Sequence, residues 1–134
     1  MEQDLRSYSP LTFAFLGDGV YGLYVRAALV NSGNTQARKL HERTSRIVSA
    51  TAQARALDAI SDVLTDEDAD IVNRGSNAHT AHQAKNASSF DYHRATGLET
   101  LFGYLYLKGD TDRIEELIEL CIDSVTGSGR QDGR

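Results

Sequence analysis

"FLGDGVYGLYVRAALV", residues Phe15 to Val30, sets Asp18 among glycines inside an otherwise apolar stretch. Glycine costs about 1 kcal/mol against alanine in a helix interior, and a buried carboxylate is expensive unless it is paired. Even so, Leu16, Val20, Leu23 and Ala27 recur at i, i+4, i+7 and i+11, the spacing of one helical stripe. Ser9 followed by Pro10 supplies an N-cap and a first helical position, and "NSGN" closes the segment. A helix from about Ser9 to Asn31 therefore carries glycines for close backbone approach and an acid that must have its own reason to be there.

The same period runs through most of the chain. Leu40, Ile47, Ala50, Ala54 and Leu57 share one face of a second helical region from about Gln36 to Ile60, with a break near Ser49. "LTDED" opens a third helix, with Thr65 as N-cap and acids in the first turn, where the helix dipole favours them. Arg74 to Asp91 is polar and short of large apolar residues, and it reads as a long loop of the kind that carries function. A fourth helix, about Tyr92 to Lys108, sets Leu98, Leu101, Phe102, Leu105 and Tyr106 at helical spacing. "TDRIEELIELCIDSV" makes an amphipathic fifth. Strand signals are weak. The reading is one all-α domain over residues 1–126, followed by a disordered tail over 127–134.

The 134 residues suffice for one core, and 40% hydrophobic with 25% charged residues reads as globular rather than disordered or membrane-spanning. No run reaches about 18 uninterrupted apolar residues and the first residues lack a secretory pattern, so the expected location is the cytoplasm, or a genome-bearing organelle after removal of a transit peptide. The single cysteine, Cys121, rules out an intramolecular disulfide and sits among Leu117, Ile118, Leu120 and Ile122 as a buried thiol. The net charge of −5 is unevenly spread: Gly19 to Ile60 holds six Lys/Arg against two acids, while acids gather at Asp62–Asp70 and Asp110–Asp123. Such a chain can turn a basic face to a polyanion, or simply solvate its helices.

Asp18 and Glu99 both lie in apolar helices beside glycines: Gly17 and Gly22 around one, Gly97 and Gly103 around the other. If the two helices cross at these small residues, the carboxylates meet and repel unless a proton or cation lies between them. Hard oxygen ligands on rigid helices suit Mg²⁺ or Mn²⁺. The competing reading leaves each acid at a solvated helix edge or paired with an arginine such as Arg94. In the loop, Arg74, Asn77, Lys85 and Asn86 are donors fit for phosphate or ribose. His79 and His82 lack a third soft ligand and read as solvated. Tyr21, Tyr24, Tyr104 and Tyr106 read as packing residues.

In order along the chain, "FAFLGDGVYGLYVR", "RGSNA", "KNA", "YHRATG" and "TGLETLFGYLYLKG" resemble the ribonuclease III domain. They are most similar to its Mini-ribonuclease III branch, which lacks a separate double-stranded-RNA-binding domain. The resemblance covers about Leu11 to Ile122. It implies an all-helical homodimer that hydrolyses double-stranded RNA with a divalent metal, in the maturation of precursor large-subunit ribosomal RNA. Asp18 then matches the signature aspartate, Glu99 the second-helix glutamate, and Phe15 the aromatic that packs into the partner subunit. Arg74, Asn77, Lys85, Asn86 and Arg94 become RNA contacts. Ala14 and Thr96 stand where the larger ribonucleases III keep further acids, a thinning that the Mini branch shares. Ser76, Ala84 and the order Tyr92-His93-Arg94-Ala95-Thr96 depart from that branch's usual loop. A ribonuclease III-fold module that binds RNA without cutting it is the alternative.

Overall fold

The computed structural model describes residues 4–78 and 88–127, apart from the side chain of Arg6. Among these residues every regular element is helical. A 3₁₀ turn, Leu5–Ser7, leads into α1 (Pro10–Asn31), α2 (Ala37–Val48) and α3 (Ala50–Ile60). A second 3₁₀ turn, Ser61–Val63, precedes α4 (Asp66–Ser76), α5 (Ser89–Lys108) and α6 (Thr111–Thr126).

The boundaries follow from local chemistry. Ser9 Oγ accepts from the Leu11 amide at 3.1 Å with Pro10 in the first turn. Ser49 breaks the second helical region: its extended backbone (ψ 157°) ends α2, and its Oγ accepts from the Ala52 amide to start α3. Thr65 and Asp68 form a reciprocal capping box at 3.0 and 3.1 Å. Gly109, at φ +85°, closes α5 in the left-handed conformation that glycine adopts without strain.

Two expectations are corrected here. The polar stretch expected as a loop from Arg74 to Asp91 is helical at both ends, where α4 runs on to Ser76 and α5 begins at Ser89. There Ser88 Oγ caps the Asp91 amide at 3.0 Å. The inward face of α1 also differs from the Leu16–Val20–Leu23–Ala27 stripe. Phe13, Gly17, Tyr21, Val25 and Leu29 face in, whereas Leu23 and Ala27 are exposed. A helix that is apolar on nearly every side has no single preferred stripe, and the glycine face decided which side packs.

Helix α5 is the centre of the fold, with α1, α3 and α4 laid against it and α6 closing the far side. Tyr21, Ile60, Leu98, Leu101, Phe102, Leu105, Ile114 and Leu117 are fully buried. Each such side chain contributes about 1.5–3 kcal/mol of burial. Tyr21 meets the Phe102 ring edge-on at 5.2 Å. By length and composition α1 could cross a membrane, yet its buried side chains lie in this core. Cys121 is a fully buried free thiol as expected, pushed up to about 12 chiefly by burial. Tyr106, expected to pack, is exposed.

Candidate active site

Four glycines let helices reach α5. A Cβ at Gly17 would lie 1.7 Å from the carbonyl oxygen of Glu99, and one at Gly103 would lie 1.9 Å from that of Phe13. On the other side, a Cβ at Gly97 would meet the Val72 carbonyl at 2.8 Å, and one at Gly75 the Thr100 hydroxyl at 2.2 Å. Backbone thus lies directly on backbone where α1 crosses α5, a separation closed to any larger residue. Gly22 plays no part in this crossing, since only the Arg26 side chain approaches it.

The crossing decides where the carboxylates sit. Asp18 follows Gly17 on α1, and Glu99 is the α5 residue whose carbonyl touches Gly17. Both carboxylates line one open cleft of about 290 Å³, walled by Leu11, Ala14, Phe15, Tyr92 and Thr96. Ala14 and Thr96, where the larger ribonucleases III would carry acids, therefore face the same space. Thr96 turns its hydroxyl back to the Tyr92 carbonyl at 3.0 Å. Sequence reasoning passed over Tyr92 as a wall of this cleft, although it stands one helical turn before Thr96.

The two acids differ in their surroundings. Asp18 is exposed, so the expectation of a costly carboxylate inside α1 is corrected: its side of the helix opens to the cleft. The cost falls on Glu99. Burial and then the nearby Asp18 carboxylate push Glu99 up to about 8, while a hydrogen bond from Gln53 opposes the rise. Gln53, only 2% exposed, donates from Nε2 to Glu99 Oε2 at 3.2 Å and to the Val48 carbonyl at 3.1 Å. Its Oε1 has no hydrogen-bond partner among the described residues. Gln53 is the site residue that sequence reasoning missed. The signal was a lone glutamine four residues before Leu57 and seven before Ile60, on the buried stripe of α3.

The pair fits a hard divalent cation by its donor chemistry: two carboxylates on rigid helices, one held protonated by burial and then by the other's charge, beside a cleft with room for water. Among the described residues no three His, Cys, Asp or Glu side chains gather as a complete metal cage. A cation here would take its remaining ligands from water or substrate.

The other expected site residues are scattered around this centre. Arg94 is ion-paired with Asp58 of α3 and lies over the Phe90 ring at 5.2 Å, so its guanidinium is engaged within the fold. Arg74 lies in the last turn of α4 and Asn77 caps its end. Asn77 and Arg94 share the wall of a second open cleft with Asn73, Phe90 and His93, whose Nδ1 contacts the Ser76 carbonyl at 3.1 Å. Lys85, Asn86, His79 and His82 lie outside the described residues, as does the expected tail beyond Gly127. Phe15 is 85% exposed on α1, with Leu23 and Val30 also uncovered. Arg43, Arg46 and Arg55 line open clefts at the α2–α3 face.

This arrangement, two helices crossing at glycine with an acid from each at the crossing, defines a ribonuclease III-type domain. The family model for the ribonuclease III domain matches residues 11–110. A solved structure of a protein from Fusobacterium nucleatum superposes with a TM-score of 0.81 at 29% identity, over 91% of this chain and 98% of that one. Mini-ribonuclease 3 of Clostridium tetani is 38% identical over 98% of this chain and 88% of its own length. That of Thermoanaerobacter sp. is 40% identical over 92% of this chain and 87% of its own. The chain belongs to the ribonuclease III family, in its Mini-ribonuclease 3 branch, and is an endoribonuclease.

Proposed function

We propose that this endoribonuclease cuts double-stranded RNA as a homodimer with Mg²⁺ (or Mn²⁺), in the maturation of precursor large-subunit ribosomal RNA in the cytoplasm. The observation that carries the metal-dependent reading is the Asp18–Glu99 pair. One acid is exposed to the cleft, and the other keeps its proton until positive charge arrives. Asp18 and Glu99 would hold the cation, Asp18 from the solvent side and Glu99 from the helix crossing. A bound divalent cation supplies charge to the attacked phosphate and makes water a stronger nucleophile at neutral pH. Leu11 and Phe15 supply apolar walls to the open cleft beside the carboxylate pair. Cleavage leaves 5′-phosphate ends.

The homodimer reading rests on Phe15. A phenylalanine so exposed beside the carboxylates, on a helix with Leu23 and Val30 also uncovered, offers an apolar face for a second copy. Two sites related by a two-fold axis address the two strands of a duplex. RNA affinity then falls to arginines such as Arg43, Arg46, Arg55 and Arg74 and to Asn77, Lys85 and Asn86, through phosphates and 2′-hydroxyls. Arg94 contributes only if its ion pair with Asp58 opens.

The test incubates purified protein with long double-stranded RNA in Mg²⁺ or in EDTA, alongside Asp18→Asn. Cleavage in Mg²⁺ alone, lost in the folded variant, is expected. Binding without cleavage in Mg²⁺ would instead establish the non-cutting RNA-binding module, and cleavage by Asp18→Asn would remove Asp18 from the mechanism.

A further inference from the structure

We propose that Gln53 is a positioning residue that fixes the Glu99 carboxylate for cation binding; this rests on the metal-dependent reading of the Asp18–Glu99 site. Because Ser49 leaves the helix, the carbonyl of Val48, the last residue of α2, has no intrahelical donor ahead of it. Gln53, on the first turns of α3, fills that need with one N–H at 3.1 Å.

The Val48 carbonyl only accepts, so it fixes which end of the buried amide is nitrogen. The same nitrogen then has its second N–H to give, and Glu99 Oε2 receives it at 3.2 Å. Reversing the amide would set Oε1 against the Val48 carbonyl with no proton between them. The unpartnered Oε1 is the cost of this orientation, a buried acceptor left without a donor. Glutamine at this position is thus committed to donating toward Glu99 whatever the protonation state of the acid. A donor stabilises the ionised form and holds one oxygen in place, leaving the remaining lone pairs for the cleft. Ala52, Ala54, Ala56 and Leu57 surround this residue on α3 as buried apolar neighbours, and an apolar side chain would suit the packing alone. Supporting hydrogen bonds of this kind are typically worth about 10- to 100-fold in metal affinity or activity.

The experiment compares wild type with Gln53→Met, which keeps the length and loses the donor, and with Gln53→Leu. Folding and oligomeric state are checked first. Mn²⁺ binding without RNA, followed by electron paramagnetic resonance, is expected to weaken by about tenfold or more. The kcat for double-stranded RNA in Mg²⁺ is expected to fall by about 10- to 100-fold, with RNA binding in EDTA unchanged. A folded variant whose Mn²⁺ isotherm and kcat stay within about twofold of wild type overturns the proposal, since a tenfold effect is the least expected. A second measurement needs no variant. In wild type, Mg²⁺ is expected to shift the side-chain ¹⁵N resonance of Gln53 with the midpoint of cation binding, and a resonance that stays still overturns the proposal even if both variants unfold. A wild type that binds Mn²⁺ and moves this resonance but cuts no RNA overturns the functional reading while upholding the role of Gln53.

Discussion

Replacing Gly17 by alanine tests the crossing on which the site depends. The added methyl would lie 1.7 Å from the Glu99 carbonyl oxygen, 2.6 Å from its carbon and 2.9 Å from the Gly103 amide nitrogen. All three obstacles are backbone, so no side chain can swing aside, and α1 must lift off α5 along its largest helix contact. Overpacking in a well-filled core costs about 1–3 kcal/mol. A clash with rigid backbone belongs at the top of that range or above it, and the helix propensity of alanine returns only about 1 kcal/mol. The net loss is therefore about 2–3 kcal/mol or more, or on the order of 10 °C in Tm for a domain of this size. Gly22→Ala is the matched comparison. It lies in the same helix and makes the same propensity gain, but its nearest obstacle is the guanidinium tip of Arg26 at 2.7 Å. It should be neutral or stabilised by up to about 1 kcal/mol. Thermal and urea unfolding in EDTA read both variants, and cleavage per folded molecule should fall only in Gly17→Ala, where the carboxylates separate. If Gly17→Ala unfolds within about 0.5 kcal/mol of wild type, an ordinary surface effect, or if both glycines cost the same, the crossing does not set the site.

Glu99 makes stability depend on pH. Its usual value of 4.5 applies in the unfolded chain and about 8 in the fold, so the folded state holds the extra proton between them and loses stability as pH rises through that window. At about 1.4 kcal/mol per pH unit the ceiling is near 5 kcal/mol, which solvent in the open cleft lowers to about 3. In EDTA, Glu99→Gln should flatten the decline and be the more stable protein at pH 9, and a wild type equally stable at pH 5 and pH 9 would contradict the assignment. At Phe15, 85% exposed, Phe15→Asp should leave the circular dichroism spectrum unchanged yet give a monomer in light scattering. A persistent dimer would remove this residue from the interface.

What the sequence disclosed and what it concealed divide along a physical line. Caps are local, and so Ser9–Pro10, the break at Ser49 and Thr65 were legible from a few neighbouring residues. Glycines beside an acid in two apolar helices were legible too, because nothing local favours them. The start of α5 was not, since Ser89, Phe90 and Asp91 carry no apolar period and Ser88 alone marks the cap. Which face of α1 turns inward was hidden for a different reason: with apolar residues nearly all round, only the partner helix could choose. The ion pair that Arg94 makes was not legible, because its partner Asp58 lies 36 residues away. Gln53 shows the same limit, its two acceptors coming from the end of α2 and the middle of α5.

The site's chemistry follows from setting two influences against each other at one carboxylate. Asp18 and burial hold the proton on Glu99, while Gln53 favours its release. Ala14 and Thr96 sharpen this balance, because neither adds a charge to the cleft they line. On the metal-dependent reading proposed above, a divalent cation held by only two acids would keep ligand positions that RNA phosphate could fill, and each would then strengthen the binding of the other by the same factor. The glycine crossing makes such a sparse site workable. By fixing the two helices backbone to backbone it keeps Asp18 and Glu99 from drifting apart, so the proton that Glu99 retains beside Asp18 is the one an arriving cation would displace.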